Sequence, residues 1–135
     1  MQFVLDCSIT MSWFFDDESD PYSEKVLTSL KENEAIVSSL WHLEVSNAFL
    51  AAEKRKRITE SKIIHNLHLL ESLRIKVQSS SSMREIYTLA RQFGLSSYDA
   101  SYLDLAMRLG LPLATKDNQL KDSAKKSGIP LYSYP

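Results

Sequence analysis

Four carboxylates stand at positions in the sequence where metal-dependent chemistry could be built. Asp6 ends the first apolar run of the chain and Asp117 follows the fourth, whereas Glu44 and Asp99 lie on predicted helices. Carboxylates that cluster repel one another, so they either take up protons or hold a hard cation such as Mg²⁺ or Mn²⁺. A cation held in this way lowers the pKa of a bound water and stabilises charge that develops on a phosphodiester. If the fold brings them together, the four acids therefore favour metal-assisted phosphodiester hydrolysis.

Each of these acids also has a structural interpretation. Asp6 is compatible with a cap of the turn that follows it, and Asp117 with the N-cap of the last helix. Asp99 can complete a capping box with Ser96, and Glu44 can be an ordinary helix glutamate. Taken singly, each acid favours its structural interpretation. Their joint placement at strand ends and helix starts favours the functional one.

The elements that must position these acids follow from the hydrophobic pattern. The apolar runs that predict strands are 2–6, 35–37, 75–77, 113–115 and 129–132, and the main predicted helices are 22–31, 39–57, 59–73, 82–93, 96–109 and 118–126. Strands that alternate with helices predict an α/β domain on a mainly parallel sheet. Such sheets carry their sites beyond the carboxyl ends of the strands, where the strand order reverses.

Residues at the ends of the predicted helices support this division of the chain. Thr59, Ser82 and Ser96 are predicted N-caps, because a hydroxyl at that position accepts a hydrogen bond from a free backbone NH. Gly94 and Gly110 are predicted to end the two helices between residues 82 and 109.

The composition restricts the class of protein. The chain has 135 residues, one cysteine and a formal net charge of −1. That length suits one domain, so residues 1–135 are expected to form a single one. A lone cysteine cannot form an internal disulfide, and the first apolar run is interrupted too early for a signal peptide. Without an apolar stretch long enough to cross a bilayer, the sequence predicts a cytoplasmic protein.

The near-neutral total conceals an uneven distribution of charge. Residues 1–44 carry a net charge of −7, and residues 45–135 carry +6. The densest basic run is Lys54–Arg57, at the end of a predicted helix. Weak candidates for binding the phosphates of a nucleic acid are Lys54, Arg55, Arg57, Lys116 and Lys121. A solvated helix end explains the run equally well.

Other reactive side chains have weaker functional interpretations. His65 and His68 are three residues apart on a helix, but no third ligand lies nearby, which disfavours a zinc site. Cys7 has no evident partner and is expected to be a buried thiol. The aromatic run 13–15 is expected to lie in the core or, as the alternative, to form a groove for another chain.

Four segments of the sequence resemble the motifs of the PIN-domain family. They are Val4-Leu5-Asp6-Cys7-Ser8, Glu44-Val45-Ser46-Asn47, Ser96-Ser97-Tyr98-Asp99-Ala100 and Leu113-Ala114-Thr115-Lys116-Asp117. The resemblance covers nearly the whole chain and looks closest to the VapC toxins of toxin–antitoxin pairs. It implies a three-layer α/β/α fold with a central, mainly parallel, five-stranded sheet.

The resemblance also implies a function, a Mg²⁺- or Mn²⁺-dependent endoribonuclease. Asp6, Glu44, Asp99 and Asp117 match the acidic quartet that holds the metal, and Ser8, Asn47 and Thr115 match supporting residues. Within the quartet, Asp6 and Asp99 are expected to hold the principal ion. Asp104 departs from the family pattern and, being about 140° around the helix from Asp99, is expected to lie outside the site.

The partners implied are an RNA substrate, a cognate antitoxin and a second copy of the chain. The segment 13–22 and the helices within 58–73 are candidate contact surfaces.

Two other functions remain open. One is aspartyl-phosphate chemistry at Asp6, although the expected second aspartate two residues later is replaced by Ser8. The other is a catalytically weak module of the same fold that binds RNA or protein.

Overall fold

Four parallel strands form the central sheet of the protein, which we describe from a computed structural model of residues 1–135. The strands are β1 (Gln2–Leu5), β2 (Glu34–Ser38), β3 (Ile75–Gln78) and β4 (Leu113–Ala114). The helices are α1 (Cys7–Ser12), α2 (Pro21–Ser29), α3 (Trp41–Lys54), α4 (Glu60–Glu71), α5 (Met83–Phe93), α6 (Ser97–Leu109) and α7 (Asn118–Lys126), with a 3-10 turn at Asp16–Glu18.

The order of the strands creates a crevice at β1. The order is β3-β2-β1-β4, so the chain builds outward from β1 on one side and then returns to pair β4 with its other side. Val4 pairs with Leu113 and Leu5 with Ala114, and all the pairings are parallel. Because strand order reverses at β1, the crevice beyond the carboxyl ends of β1 and β4 is the expected place for a site.

The prediction of a fifth strand at 129–132 is wrong. This segment makes one isolated parallel bridge, between Leu113 and Leu131. The Leu113 NH donates to the Pro130 carbonyl at 3.0 Å, and the Tyr132 NH donates to the Leu113 carbonyl at 2.8 Å. Pro130 has no NH of its own, so the ladder does not extend beyond these two bonds. The sheet therefore has four strands.

The predicted helix ends are confirmed at five positions. Thr59, Ser82 and Ser96 each accept a hydrogen bond from the backbone NH three residues later, at the starts of α4, α5 and α6. Gly94 and Gly110 end α5 and α6 with φ angles of 65° and 64°, a left-handed conformation that glycine adopts without a steric penalty.

The helix predicted over 39–57 is shorter in the structure. It begins at Trp41 and ends at Lys54. Lys56 then takes a positive φ of 58°, which ends the helical path and turns the chain toward α4.

Apolar side chains on both faces of the sheet form the core. Phe3 and Leu5 of β1 pack with residues of α1–α4, whereas Val4 packs with residues of α5–α7. Successive side chains of a strand point to opposite faces, so a strand that is apolar throughout is covered on both. The result is the predicted three-layer α/β/α arrangement.

No helix in the structure combines the length and apolar character needed to cross a membrane.

Candidate active site

The four predicted acids lie around the crevice beyond β1 and β4. Asp6 directly follows β1, and Asp117 lies three residues past β4. Glu44 and Asp99 lie in the first turns of α3 and α6. Their charges act on one another. The charge of Asp117 raises the pKa of Asp6. The charges of Asp6 and Asp99 raise the pKa of Glu44, and those of Asp6 and Asp117 raise the pKa of Asp99. The fold therefore brings the four carboxylates into one electrostatic group.

Asp6 is the most deeply buried of the four, with 4% of its surface exposed. Burial raises the pKa of its carboxyl and the charge of Asp117 raises it further, while hydrogen bonds from Ser8 and Thr115 lower it. Both hydroxyls donate to the same oxygen, Oδ2, at 2.7 Å. Although Asp6 precedes α1, its side chain makes no capping hydrogen bond. The structural interpretation of Asp6 as a helix cap therefore does not apply.

The same two hydroxyls fix the loop after β4. The Ser8 Oγ accepts a hydrogen bond from the Lys116 NH at 3.1 Å, and the Thr115 Oγ1 accepts one from the Asp117 NH at 3.0 Å. Each hydroxyl thus donates to Asp6 and accepts from the backbone of residues 116–117. Ser8 and Thr115, both predicted as supporting residues, hold the loop that carries Asp117 against Asp6.

Glu44 is held by a residue that sequence reasoning missed. The phenol of Tyr102 on α6 donates to the Glu44 Oε1 at 2.5 Å. Burial raises the pKa of the Glu44 carboxyl, this hydrogen bond lowers it, and the charges of Asp6 and Asp99 raise it again. Tyr102 lies three residues after Asp99, so both side chains project from neighbouring turns of one helix face. The signal in the sequence was a tyrosine in an apolar run, where a buried hydroxyl needs a polar partner.

Asp99 and Asp117 combine structural and electrostatic roles. Burial, followed by the charges of Asp6 and Asp117, raises the pKa of Asp99 to about 6. The Oδ1 of Asp117 accepts a hydrogen bond from the Leu120 NH at 2.8 Å, so this residue is the N-cap of α7. The structural interpretation thus holds for one oxygen of Asp117, and the chain donates no hydrogen bond to its other oxygen.

The donor chemistry of this group fits a hard cation. None of the four carboxylates forms an ion pair with a lysine or arginine. Carboxylate oxygens are the ligands that Mg²⁺ and Mn²⁺ prefer. The four side chains nevertheless do not converge into a formed metal-binding group, and no other set of three acids, histidines or cysteines does so. The oxygen ligands are of the type that the ion prefers, but the four side chains are not close enough together to coordinate it in this conformation.

The neighbours of Glu44 on α3 form a shallow groove. Asn47, the third predicted supporting residue, is exposed one turn after Glu44 and lines this groove with Cys7 and Tyr98. Burial, followed by the charges of Glu44 and Asp6, raises the pKa of the Cys7 thiol. The thiol therefore stays protonated near neutral pH, which disfavours a nucleophilic role.

Two of the predicted RNA-binding cations are engaged within the chain. The Lys116 ammonium contacts the Ser12 Oγ at 2.8 Å and the Asp20 Oδ2 at 2.9 Å. Arg57 forms an ion pair with Asp17 at 2.9 Å and lies over the ring of Phe15, 4.6 Å from its centre.

The other three predicted cations are free of ion pairs. Lys54 and Arg55 are exposed at the end of α3, and Lys121 is partly exposed on α7. Lys54 is ten residues beyond Glu44 on the same helix, which corresponds to about 15 Å. These three cations are therefore available to phosphates of an external ligand.

Asp104 lies outside the site. It accepts hydrogen bonds from the Ser81 hydroxyl and from Arg108, and the Arg108 ion pair measures 3.0 Å. Its role is to attach the serine-rich loop to α6.

A cavity of about 900 Å³ lies between the aromatic segment and α4. The aromatic segment contributes Trp13, Phe14 and Phe15, and α4 contributes Asn66 and Leu69. Phe15 is largely buried, whereas Trp13 and Phe14 keep part of their surface exposed, so the run serves both the core and this cavity. The Asn66 Nδ2 is the one buried side-chain nitrogen or oxygen atom in the structure that has no hydrogen-bond partner.

The chain is similar to proteins of known family. The family described as PIN domain matches residues 3–126. Ribonuclease VapC3 of Pyrobaculum aerophilum is 26% identical over 125 residues, which cover 90% of this chain and 94% of that protein.

Two solved structures share the fold. PAE2754 of Pyrobaculum aerophilum matches with a TM-score of 0.71 and 23% identity, over 91% of this chain and 79% of that chain. The VapBC2 complex of Rickettsia felis, bound to a DNA fragment from its promoter, matches with a TM-score of 0.68 and 19% identity, over 98% of both chains.

Proposed function

Because the chain belongs to the PIN-domain family, we propose that it is a Mg²⁺- or Mn²⁺-dependent endoribonuclease and the toxin of a toxin–antitoxin pair. The observation that carries the proposal is Asp6, a buried carboxylate without a cationic partner at the reversal point of the sheet. Three more acids surround it, and such a group is stable when a divalent cation neutralises it. The similarity to Ribonuclease VapC3 supports RNA as the substrate. We propose a cytoplasmic location, in which such an RNA substrate is present.

Asp6, Glu44, Asp99 and Asp117 would hold the metal. When bound, the ion lowers the pKa of a water and stabilises negative charge on the phosphodiester. Ser8 and Thr115 orient the Asp6 carboxylate, because both donate to its Oδ2 and leave Oδ1 for a ligand. Asp117 has one oxygen free to accept a hydrogen bond from the attacking water. That water would add to phosphorus and give up a proton to the Asp117 carboxylate as the bond to the leaving oxygen breaks, and the leaving oxygen would take up a proton from solvent.

An Asp6→Asn variant tests this proposal. We expect its rate of RNA cleavage with Mg²⁺ to fall at least about 100-fold, since the amide carries no charge to hold the ion. Asp122→Asn, a change at an exposed residue of α7, is the matched control and should cleave RNA at the wild-type rate. Undiminished cleavage by a folded Asp6→Asn variant, or cleavage that survives EDTA, would contradict the proposal.

A binding module of the same fold is the second candidate function. The observation that favours it is the spacing of the acids, which do not converge into a formed metal-binding group. This alternative predicts RNA binding that weakens steeply with salt but no cleavage with any divalent ion. Hydrolysis of a generic phosphomonoester would instead support aspartyl-phosphate chemistry.

We propose that the cavity beside α4 receives an apolar segment of the antitoxin. Half of the twelve residues that line it are hydrophobic, the aromatic segment among them, and the unpartnered Asn66 amide can donate to a backbone carbonyl of an inserted peptide. A buried donor without a partner costs about 1–3 kcal/mol, which such a peptide would recover.

Substitutions on α4 test the proposed antitoxin surface. Leu69→Asp places a charge in the cavity and should weaken binding of the product of an adjacent small gene at least about 10-fold. Ile64→Asp is the control, because Ile64 is 51% exposed and does not line the cavity. Equal binding by both variants, measured by calorimetry, would show that the antitoxin docks elsewhere.

The proposed second copy of the chain is tested separately. Sedimentation equilibrium of the purified chain should give twice the mass of 15.4 kDa. A monomer at micromolar concentration would contradict a stable homodimer.

A further inference from the structure

The hydroxyl of Tyr102 has a single hydrogen-bond partner, the carboxylate of Glu44. Tyr102 is 0% exposed and is among the largest fully buried side chains in the protein. Its phenol donates to the Glu44 Oε1, across 58 residues of sequence, and so joins α6 to α3. Burial of a tyrosine hydroxyl is favourable only where it finds such a partner, so the position of Glu44 and the packing of Tyr102 depend on each other.

We propose that Tyr102 is a positioning residue that fixes the Glu44 carboxylate for divalent-cation binding, an inference that rests on the proposed function. A glutamate side chain has three rotatable bonds and swings freely when nothing holds its end. Tyr102 is packed inside the core and cannot move with it. Its hydroxyl therefore fixes Oε1, and Oε2 accepts no hydrogen bond from the chain.

The arrangement at Asp6 supports this interpretation. Two hydroxyl groups hold Oδ2 of Asp6 and leave Oδ1, as the phenol holds one oxygen of Glu44 and leaves the other. Tyr102 and Thr115 lie on other elements than the acids to which they donate, and Ser8 lies in the first turn of α1, directly after Asp6. Residues that orient metal ligands through such hydrogen bonds commonly change metal affinity by about 10- to 100-fold.

A Tyr102→Phe variant of the full chain tests the proposal, because phenylalanine keeps the packed ring and removes only the donor. We expect Mn²⁺ affinity, measured by calorimetry and by the electron paramagnetic resonance of free Mn²⁺, to fall about 10-fold. In RNA cleavage, kcat at fixed Mn²⁺ should fall while KM for RNA stays unchanged.

Tyr22→Phe is the matched control. The Tyr22 hydroxyl donates to the Tyr132 carbonyl at 2.8 Å, and the charges that affect its pKa are those of Tyr132 and Asp20, none of the four acids. This variant should lose thermal stability to a similar extent in EDTA and keep wild-type Mn²⁺ affinity. An equal loss of affinity in both variants would reduce Tyr102 to a structural role and overturn the proposal.

A double mutant shows whether Tyr102 acts through Glu44. In a Glu44→Gln background, Tyr102→Phe should change Mn²⁺ affinity no further. A further 10-fold loss, or wild-type affinity in the Tyr102→Phe single variant, would overturn the proposal.

If the wild-type chain binds Mn²⁺ and cleaves no RNA, the proposed ribonuclease function fails while the positioning role is still decided by the affinities. If the wild-type chain binds no Mn²⁺, both fail.

Discussion

At the scale of single residues, the site depends on hydroxyl groups as much as on carboxylates. Thr115 illustrates this dependence. It is 1% exposed, donates to Asp6 and accepts from the Asp117 NH. A single hydroxyl therefore serves two polar groups, and without it the Asp117 NH would have no acceptor and Asp6 would keep only the Ser8 hydroxyl as a side-chain donor.

Replacing Thr115 with valine should therefore destabilise the fold. Valine has nearly the same shape but no hydroxyl, so the free energy of unfolding should fall by about 1–3 kcal/mol. Urea denaturation measures the change. Thr28→Val is the control, since the exposed Thr28 hydroxyl bonds only to the carbonyl of Glu24, and its loss should cost less than about 0.5 kcal/mol. Equal losses in the two variants would mean that the Thr115 network contributes nothing beyond an ordinary hydrogen bond.

Asp99 should make the metal-free protein less stable as the pH rises. Its pKa is about 6 in the folded chain and about 4 when unfolded. The folded state therefore binds more protons between these values, and stability falls as the pH rises from about 4 to about 6. In EDTA at pH 8, Asp99→Asn should be more stable than the wild type by about 1 kcal/mol, after allowance for solvent screening of this partly exposed group.

Thermal unfolding of Asp99→Asn at two pH values measures this effect. The difference in Tm from the wild type should be a few degrees at pH 8 and should vanish near pH 4. A difference of the same size at both pH values would show that the substitution acts through packing and not through charge.

Sequence reasoning placed together at one edge of the sheet those candidate site residues that directly follow strands or begin helices. Asp6, Ser8, Thr115 and Asp117 are of this kind, because the carboxyl ends of parallel strands meet at one edge of the sheet. The role of Tyr102 was not predicted, because its hydrogen-bond partner Glu44 is 58 residues away and the bond depends on how α3 and α6 pack. The engagement of Lys116 by Ser12 and Asp20 is also long-range, and no local pattern encodes it.

At the scale of elements, helices were predicted more accurately than strands. Caps and glycines define helix ends locally, so α4, α5 and α6 matched their predicted starts. A strand exists only if a partner forms its hydrogen bonds. The segment 129–132 has strand-like residues, yet only one bridge forms beside Pro130. The apolar run correctly predicted that Tyr132 is buried, but it wrongly predicted that the segment pairs with the sheet as a strand.

The side chain of Tyr132 should be essential for stability although it lies outside any strand. It stacks on Phe3 with ring centres 3.8 Å apart, is 1% exposed and accepts a hydrogen bond from Asn33. Tyr132→Ala should lower the free energy of unfolding by about 3–5 kcal/mol in urea denaturation. The control is Tyr87→Ala on α5, where the ring is 61% exposed. Similar losses for the two tyrosines would contradict the packing of this segment against β1.

At the scale of the whole molecule, the charge asymmetry is partly cancelled by ion pairs within the fold. Arg57 and Lys116 belong to the basic part of the chain, and they pair with Asp17 and Asp20 of the acidic part. Lys54 and Arg55 at the end of α3 are exposed and form no ion pair, so they are among the cations that can attract a polyanion.

Under the proposed function, Lys54 and Arg55 should contribute to RNA affinity through charge alone. In an Asp6→Asn background that blocks cleavage, replacing both with Gln should weaken binding of single-stranded RNA at every sequence tested. The slope of log affinity against log salt should become shallower by about 1.4, which is about 0.7 for each phosphate that the protein no longer neutralises. Lys31→Gln, at an exposed residue past α2, is the control in fluorescence anisotropy. An unchanged slope would mean that RNA follows another path across the surface.

The pairing of β1 with β4 has a consequence for the chain as it is synthesised. Asp6 leaves the ribosome early, but its partner Thr115 follows more than a hundred residues later. Leu5 cannot pair with Ala114 until then, so the crevice is incomplete. At about 5–20 residues per second, the nascent chain spends several seconds without a complete acidic group. The acidic group is therefore complete only after β4 has emerged, so any chemistry that needs all four acids begins when nearly the whole chain has been made.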